Sequence, residues 1–524
     1  MPLSRRKFLL GAGVVTLAAV PLGACAGDGS PDGGSGDGAA SRARRARPVS
    51  GTGVTVVDDD PSGVATSATV FSDAATAVIV TATADGHQRE AGCALARDHG
   101  VPVFVDSGPA DGDAGPDGPN GTASAIAAEL ERLGVSEVVL VGGTGSPSLP
   151  DDADVTVHTT GDEGGEPAWP DGAADSGTGD GGPSGVALAS PASSPASTAT
   201  AAAAGFSLVR VHAADPRSSD ESIDAELGEL DGAGNLIGLG NAFGEATDLG
   251  RRAELARTVE GRLPGGGQVL FPGRRIIALY GHVNEPLLGV MGEQPPQDAV
   301  TRARSLAAEY EPDSDVPVIP AFEIIVTVAA DEPGPSGGFS YYSDPAEVRP
   351  WIDAIVSAGG YAIIDIQPGR ETLLQQAQHY ADLLKNPGVG LALDPEWRLG
   401  PGDRPMADVG HVDASEINEV AEWLDGLVAA EKLPQKLLMI HQFQLQMIRN
   451  REAMVTGTDN VSVAVHCDGH GTQGIKAETW NVILQGLDPA IALGWKNFID
   501  EDEPMLTPGQ TAAIVPTPDI VSYQ

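Results

Sequence analysis

From residue 270 onward, short apolar runs alternate with stretches of helical spacing. The runs are "RRIIALYGH", "VPVIPAFEIIVTV", "GYAIIDIQ", "GVGLALDPEW", "KLLMIHQF", "VSVAVHCDG", "AIALGW" and "DIVSYQ". Runs of this length, rich in Val, Ile and Leu, predict buried strands. Apolar residues at helical spacing predict helices over 297–310, 345–358, 371–385, 414–431, 445–454, 472–487 and, briefly, 507–514. Eight strands separated by helices in one domain, 263–524, predict a (β/α)8 TIM barrel, with a doubly wound open sheet as the alternative. The barrel is favoured because polar residues gather at the same end of nearly every strand.

Upstream the alternation is shorter. "TAVIVTATA", "VPVFVDS" and "SEVVLVGGTG" read as strands, and "HQREAGCALARDHG" and "TASAIAAELERLGV" as helices. This order predicts an α/β unit with a parallel sheet over 54–160. "FSLVRVHA" and "GNLIGLGNAFG", with the helical "DLGRRAELARTVEG", predict a second, degenerate α/β unit over 205–262. Between them, residues 161–204 are rich in Gly, Ser, Ala and Asp and read as a disordered linker. Two glycine turns, "VVLVGGTG" and "LIGLGNAFG", lack the full G-x-G-x-x-G pattern, so no nucleotide or other cofactor is implied.

The first unit carries a resemblance. "VIVTATADGHQREAGCALARDHGVPVFVDS" followed by "AAELERLGVSEVVLVGG" resembles the type 2 cell wall-binding repeat of Gram-positive surface proteins, over roughly residues 54–155. "HQREAGCAL" stands where that family has Asp-Ala-Leu. The resemblance implies a flavodoxin-like parallel sheet and attachment to a cell-wall polymer. The run "LPGGGQVLFPGRRIIALYGH" is similar to runs in exported barrel proteins joined to such repeats; on its own residues it reads as a structural turn leading into the barrel.

The N-terminus changes the picture of where the chain works. Arg5 and Arg6 precede an apolar run from Phe8 to Leu22, the layout of a twin-arginine export signal over 1–25. The run ends in "LGAC", which resembles a lipobox and implies lipid on Cys25; an ordinary secretory signal with a chance cysteine is the alternative. A Gly/Ser/Asp-rich tether follows over 26–53. Together these predict an extracytoplasmic lipoprotein on the outer face of the cytoplasmic membrane, associated with the wall. The formal charge of −42, from 73 acidic and 31 basic residues, argues against nucleic acid as a partner. Cys93 and Cys467 fall in different domains and read as buried free thiols.

Chemistry concentrates at the barrel strand ends, where TIM-barrel sites lie. Tyr280 and His282 end the first strand and Glu323 lies on the second. Asp365 and Gln367 end the third, and Asp394, Glu396 and Trp397 the fourth. His441 and Gln442 end the fifth, His466 and Asp468 the sixth, and Trp495 and Lys496 the seventh; Tyr523 is placed at the eighth. Asp394 and Glu396 stand two apart. On an unbroken strand they share one face, where mutual repulsion keeps a proton on one acid. A retained proton beside a second carboxylate and a Trp is the equipment of glycoside hydrolysis. The D-x-E also resembles the fourth-strand motif of the chitinase-like and lysozyme-like barrel glycosidases. That resemblance implies Glu396 as general acid and Asp394 as the residue orienting an N-acetyl group. Pro395 and the plain "GVGLAL" before the pair depart from the chitinase-like pattern. Two other readings stand: a glycan-binding protein without catalysis, and a deacetylase-type hydrolase with metal held by His466, Asp468 and His470 together with Asp365 and His441.

Overall fold

Eight parallel strands close on themselves in the C-terminal half. They are Arg275–Gly281, Val318–Ala329, Tyr361–Ile366, Val389–Leu393, Lys436–His441, Val461–Cys467, Ala492–Asn497 and Ile520–Tyr523. Each pairs with the next, and the first also pairs with the last, so the sheet is a barrel and not an open fan. The structure is a computed structural model describing residues 47–48, 53–106, 119–142, 149, 154–161, 167–171, 173, 185–229, 234–403 and 407–524. Arg5, Arg6, Cys25, most of the tether and most of 161–184 lie outside the described residues.

Alternation along each strand sorts its side chains. Ile276, Ala278, Ile319, Ala321, Tyr361, Ile363, Ala392, Leu437, Met439, Ala464, Ala492 and Ile520 fill the barrel interior. Their sequence neighbours, such as Ile277, Leu279, Phe322, Ile364 and Leu438, pack outward against the helices. The turn before the first strand plugs the barrel's lower end. Arg274 is buried there and donates to the carbonyls of Leu270, Gly266 and Val269 at 2.7–3.0 Å, and to that of Pro264. Gly267 has φ +72, and a Cβ there would meet the Arg217 and Ser218 carbonyls at 2.9 Å, so only glycine passes.

One expected barrel helix is absent. Residues 445–454 form two single 3-10 turns around Ile448–Arg449, which pairs with Val412–Asp413. Asn450 takes φ 53, which stops a right-handed helix, and Met447 and Ile448 are buried by that pairing.

The N-terminal region holds two parallel sheets of four strands each. The first runs Val103–Val105, Thr76–Val80, Glu137–Val141, Thr156–Thr160 in spatial order. The second runs Val54–Val57, Asn235–Leu239, Gly185–Ala189, Phe206–Arg210. The division into units over 54–160 and 205–262 is therefore corrected: the strand at 54–57 belongs to the second sheet. The linker reading is corrected as well. Gly185–Ala189 is an inner strand and Pro195–Ala203 a helix with seven buried residues.

Its start signals are ordinary: Ser194 accepts from Ser197 N, and Pro195 takes the first helical position. The helix can be buried although polar because its hydroxyls are satisfied. Thr66 Oγ1 and Ser197 Oγ share a 2.6 Å hydrogen bond, Asp60 accepts from Thr66, and Thr200 Oγ1 accepts from Val103 N. Residues 43–524 form one compact unit. Part of its internal bonding joins the second sheet's loops to the barrel: Arg217 pairs with Asp215 at 2.8 Å and donates to Asp459 O at 2.7 Å. Among the described residues no helix is long and apolar enough to cross a membrane.

Candidate active site

The inward-facing parity that builds the barrel core also selects its polar residues. One step above the apolar layer, toward the C-terminal ends of the strands, Tyr280, Glu323, Asp365, Asp394, His441, His466, Lys496 and Ser522 continue the inward positions. All eight are buried.

The fourth strand ends earlier than its sequence suggests. Leu393 is its last residue, and Asp394 caps a 3-10 turn, Pro395–Trp397. The premise of an unbroken strand through Glu396 is corrected. Asp394 Oδ1 accepts from Glu396 N at 3.3 Å, and both side chains reach the same cavity by this turn. Pro395 stands at the turn's first position, where a missing N–H costs nothing.

That cavity holds about 660 Å³ above the barrel mouth. Of the residues named from sequence, Tyr280, Gln367, Asp394, Glu396, Trp397, Asp468, His470 and Lys496 line it. Glu323, Asp365 and His441 lie beneath its floor, fully buried. Tyr280 donates to Asp365 Oδ2 at 3.0 Å, and Lys496 Nζ sits 3.5 Å over the Tyr280 ring. His441 stands between acids: Nδ1 is hydrogen-bonded to Asp468 Oδ2 at 2.8 Å, and Nε2 lies 2.8 Å from Glu323 Oε1.

Five named residues fall elsewhere. Trp495 is one step out of phase with Lys496, so it packs outward against Trp480 and donates to Asn497 Oδ1. Gln442 is likewise out of phase with His441 and is held by Arg451 and the Gln444 carbonyl. His282 has left the strand and binds Ser343 Oγ at 2.9 Å. His466 points inward but below the cavity, where Nε2 meets Ser522 Oγ at 2.7 Å. Tyr523 at the eighth strand faces out to Tyr310, and Ser522 takes the inward place. The His466–Asp468–His470 metal set is also corrected. His466 is occupied by Ser522, and His470 is exposed with its ring against Phe498. Phe443, Gln444, Phe498 and Gln524 join the cavity wall. Phe498 follows its strand, and only counting parity beyond Lys496 could have found it.

Burial and like charge act together on the acids. Burial raises Glu396 to about 7, helped by Asp468 and Asp365 against Lys496 and His441. Burial, with Glu396 next, raises Asp394 well above the carboxylate range. Burial also pushes Glu323 up, but His441, His466 and Lys496 outweigh it and hold the group down at about 2. His441 is pushed down by burial and raised further by Asp365, Asp468 and Glu323, so its net shift is well upward. Burial takes His466 down to about 3.

Apolar side chains are also exposed at this end of the barrel, and one of them, Ile475, lines the cavity. Leu287, Tyr341, Val409, Leu445, Ile475 and Ile499 are exposed on segments that follow barrel strands. Cys93 and Cys467 are buried free thiols; Cys467 lies beside the site, and burial pushes its thiol up to about 12.

Fold and site define a (β/α)8 barrel with carboxyls of divided protonation at its C-terminal mouth, an arrangement suited to acid–base chemistry. The chain has no significant match among family models, curated proteins or solved structures.

Proposed function

We propose that the barrel is a glycoside hydrolase acting on a cell-wall or extracellular polysaccharide. The observation that carries this reading is the shared cavity of Asp394 and Glu396, with Glu396 holding its proton to about pH 7. Glu396 gives that proton to the glycosidic oxygen as the C–O bond breaks, and the leaving sugar departs as an alcohol. Asp394 orients the group beside the reacting carbon, and the ionised Asp468 offsets positive charge developing on the sugar ring. Trp397 supplies a face for sugar stacking; its indole Nε1 has no partner among the described residues. Water adds to the anomeric carbon and returns a proton to the acid pair, closing the cycle.

Lipid on Cys25, twin-arginine export and a wall-binding N-terminal region complete the proposal. They are supported by "SRRKFLL", "LGAC" and the repeat-like segment over 54–155, and they would hold the barrel near a polymer substrate. The test is release of new reducing ends from peptidoglycan and chitin oligomers by the full chain, beside Glu396→Gln. Release by the parent and its loss in the folded variant support hydrolysis. Tight glycan binding without release by the parent would replace it with a binding role.

A further inference from the structure

The geometry points to a divalent first-row metal site under the cavity floor, formed by Glu323, Asp365 and His441. This assignment stands apart from the sugar chemistry and survives its failure. Four atoms there lack an aligned hydrogen-bond partner among the described residues: both carboxylate oxygens of Glu323, Asp365 Oδ1 and His441 Nε2. Their residues are 0% exposed, so bulk water does not reach them and only a group held inside the barrel can satisfy them. A buried carboxylate with neither oxygen satisfied is costly in a protein interior, and here two acids leave free oxygens at one spot.

The spacing fits a shared ion. One ligand atom from each residue lies within 4.8 Å of the others. His441 Nε2 is 2.8 Å from Glu323 Oε1 and 4.0 Å from Asp365 Oδ1. Donors bound at about 2.0–2.2 Å to one cation stand about 3–4 Å from each other, so the 4.0 Å pair fits and the 2.8 Å pair has to open slightly as the ion enters.

A proton is the rival occupant: imidazolium His441 donating to Glu323. At 2.8 Å the ring nitrogen and Glu323 Oε1 can share that proton in the metal-free chain, and a metal would displace it; Glu323 Oε2 and Asp365 Oδ1 still have no partner among the described residues. The other ring nitrogen completes the pattern. Nδ1 is bonded to Asp468 Oδ2 at 2.8 Å, which leaves the Nε2 lone pair for a metal, the usual second shell of a ligating histidine. Tyr280 holds Asp365 in the same way, through Oδ2, and leaves Oδ1 free.

Asp394, His441 and Asp468 also cluster, but their histidine contact is an aligned hydrogen bond that needs no ion. One imidazole and two carboxylates suit Zn2+ or Mn2+ better than Ca2+, which takes oxygen ligands alone.

The full chain, stripped with EDTA, is loaded separately with Zn2+ and Mn2+ and desalted, and metal per chain is measured by mass spectrometry. The expected result is about one tightly held equivalent with a raised melting temperature. Glu323→Gln and Asp365→Asn should lose it. Should either fail to fold, Asp468→Asn leaves all three ligands in place, alters the histidine's outer hydrogen bond, and should weaken binding by about 10–100-fold. For the parent chain, X-ray absorption should show a shell of nitrogen and oxygen. No retained metal in the parent overturns the assignment. So does retention unchanged in a folded Glu323→Gln, or a shell containing sulfur or lacking nitrogen. Metal content is read without any glycan, so absent hydrolysis leaves this result intact.

Discussion

A carboxyl group that keeps its proton to about pH 7 can give it away only below that pH. If Glu396 is the general acid, turnover is present below about 7 and falls as pH rises through it, because the proton to be donated is gone. Glu396→Gln should lower turnover by about 10²–10⁴-fold with the fold intact, read as reducing ends against pH. A second titration lies at the barrel's other end. Lys436 is fully buried, donates to the Asn386 and Val389 carbonyls at 2.8 Å, and is lowered by burial to about 7. Unfolded, it titrates near ~10.4, so between these values the unfolded chain binds the extra proton and stability rises with pH. Urea midpoints should climb from about pH 7 to about pH 10, by up to about 4 kcal/mol, and Lys436→Met should flatten that slope. At this scale the sequence showed which residues could gather and not which way each would point. Trp495 and Lys496 are adjacent in the chain and on opposite faces of the sheet. Alternation sends neighbours on a strand to opposite faces, so taking both members of a pair also misplaced Gln442 and Tyr523.

Strands and helices are held by fits that composition hides. The helix Pro195–Ala203 reads as low-complexity sequence, yet Ala196, Ala199 and Ala201 are buried. Small side chains let it approach its neighbours closely, so Ala199→Leu should cost about 1–3 kcal/mol in thermal or urea unfolding. Gly494 presents the same constraint inside the barrel. A Cβ there would lie 2.0 Å from His466 Nδ1, so Gly494→Ala should displace His466 from Ser522 and lower the melting temperature. The eight barrel strands were legible because each carries a short, mainly apolar run flanked by turns or helical spacing. The buried Ala/Ser/Thr helix was not, since its stability rests on hydroxyl partners far away in the chain, such as Thr66 and Val103. The turn at Asp394 escaped notice because Pro395 was weighed as a departure from a motif rather than as a start signal for a turn.

For the whole molecule, the second N-terminal sheet fixes where the chain can be divided. Asn235–Leu239 lies between Val54–Val57 and Gly185–Ala189. A chain begun at Phe206 keeps this strand and loses both neighbours, exposing Leu236, Ile237 and Leu239. It should bind a hydrophobic dye and aggregate, whereas a chain begun at Gly53 should melt cooperatively. The alternation of strand and helix told of parallel sheets, but not which strand joined which, because pairing between distant segments leaves no local mark.

The same interleaving has a consequence for biosynthesis. A ribosome adding about 5–20 residues per second completes Val57 roughly 10–40 s before Leu239. Through that interval the earliest strand of the sheet has no partner, and its open edge is available to any other chain. The first strand of this sheet to be made is thus the last of it to be paired, and a proteolytic cut before residue 239 leaves a nascent chain that cannot finish its own sheet.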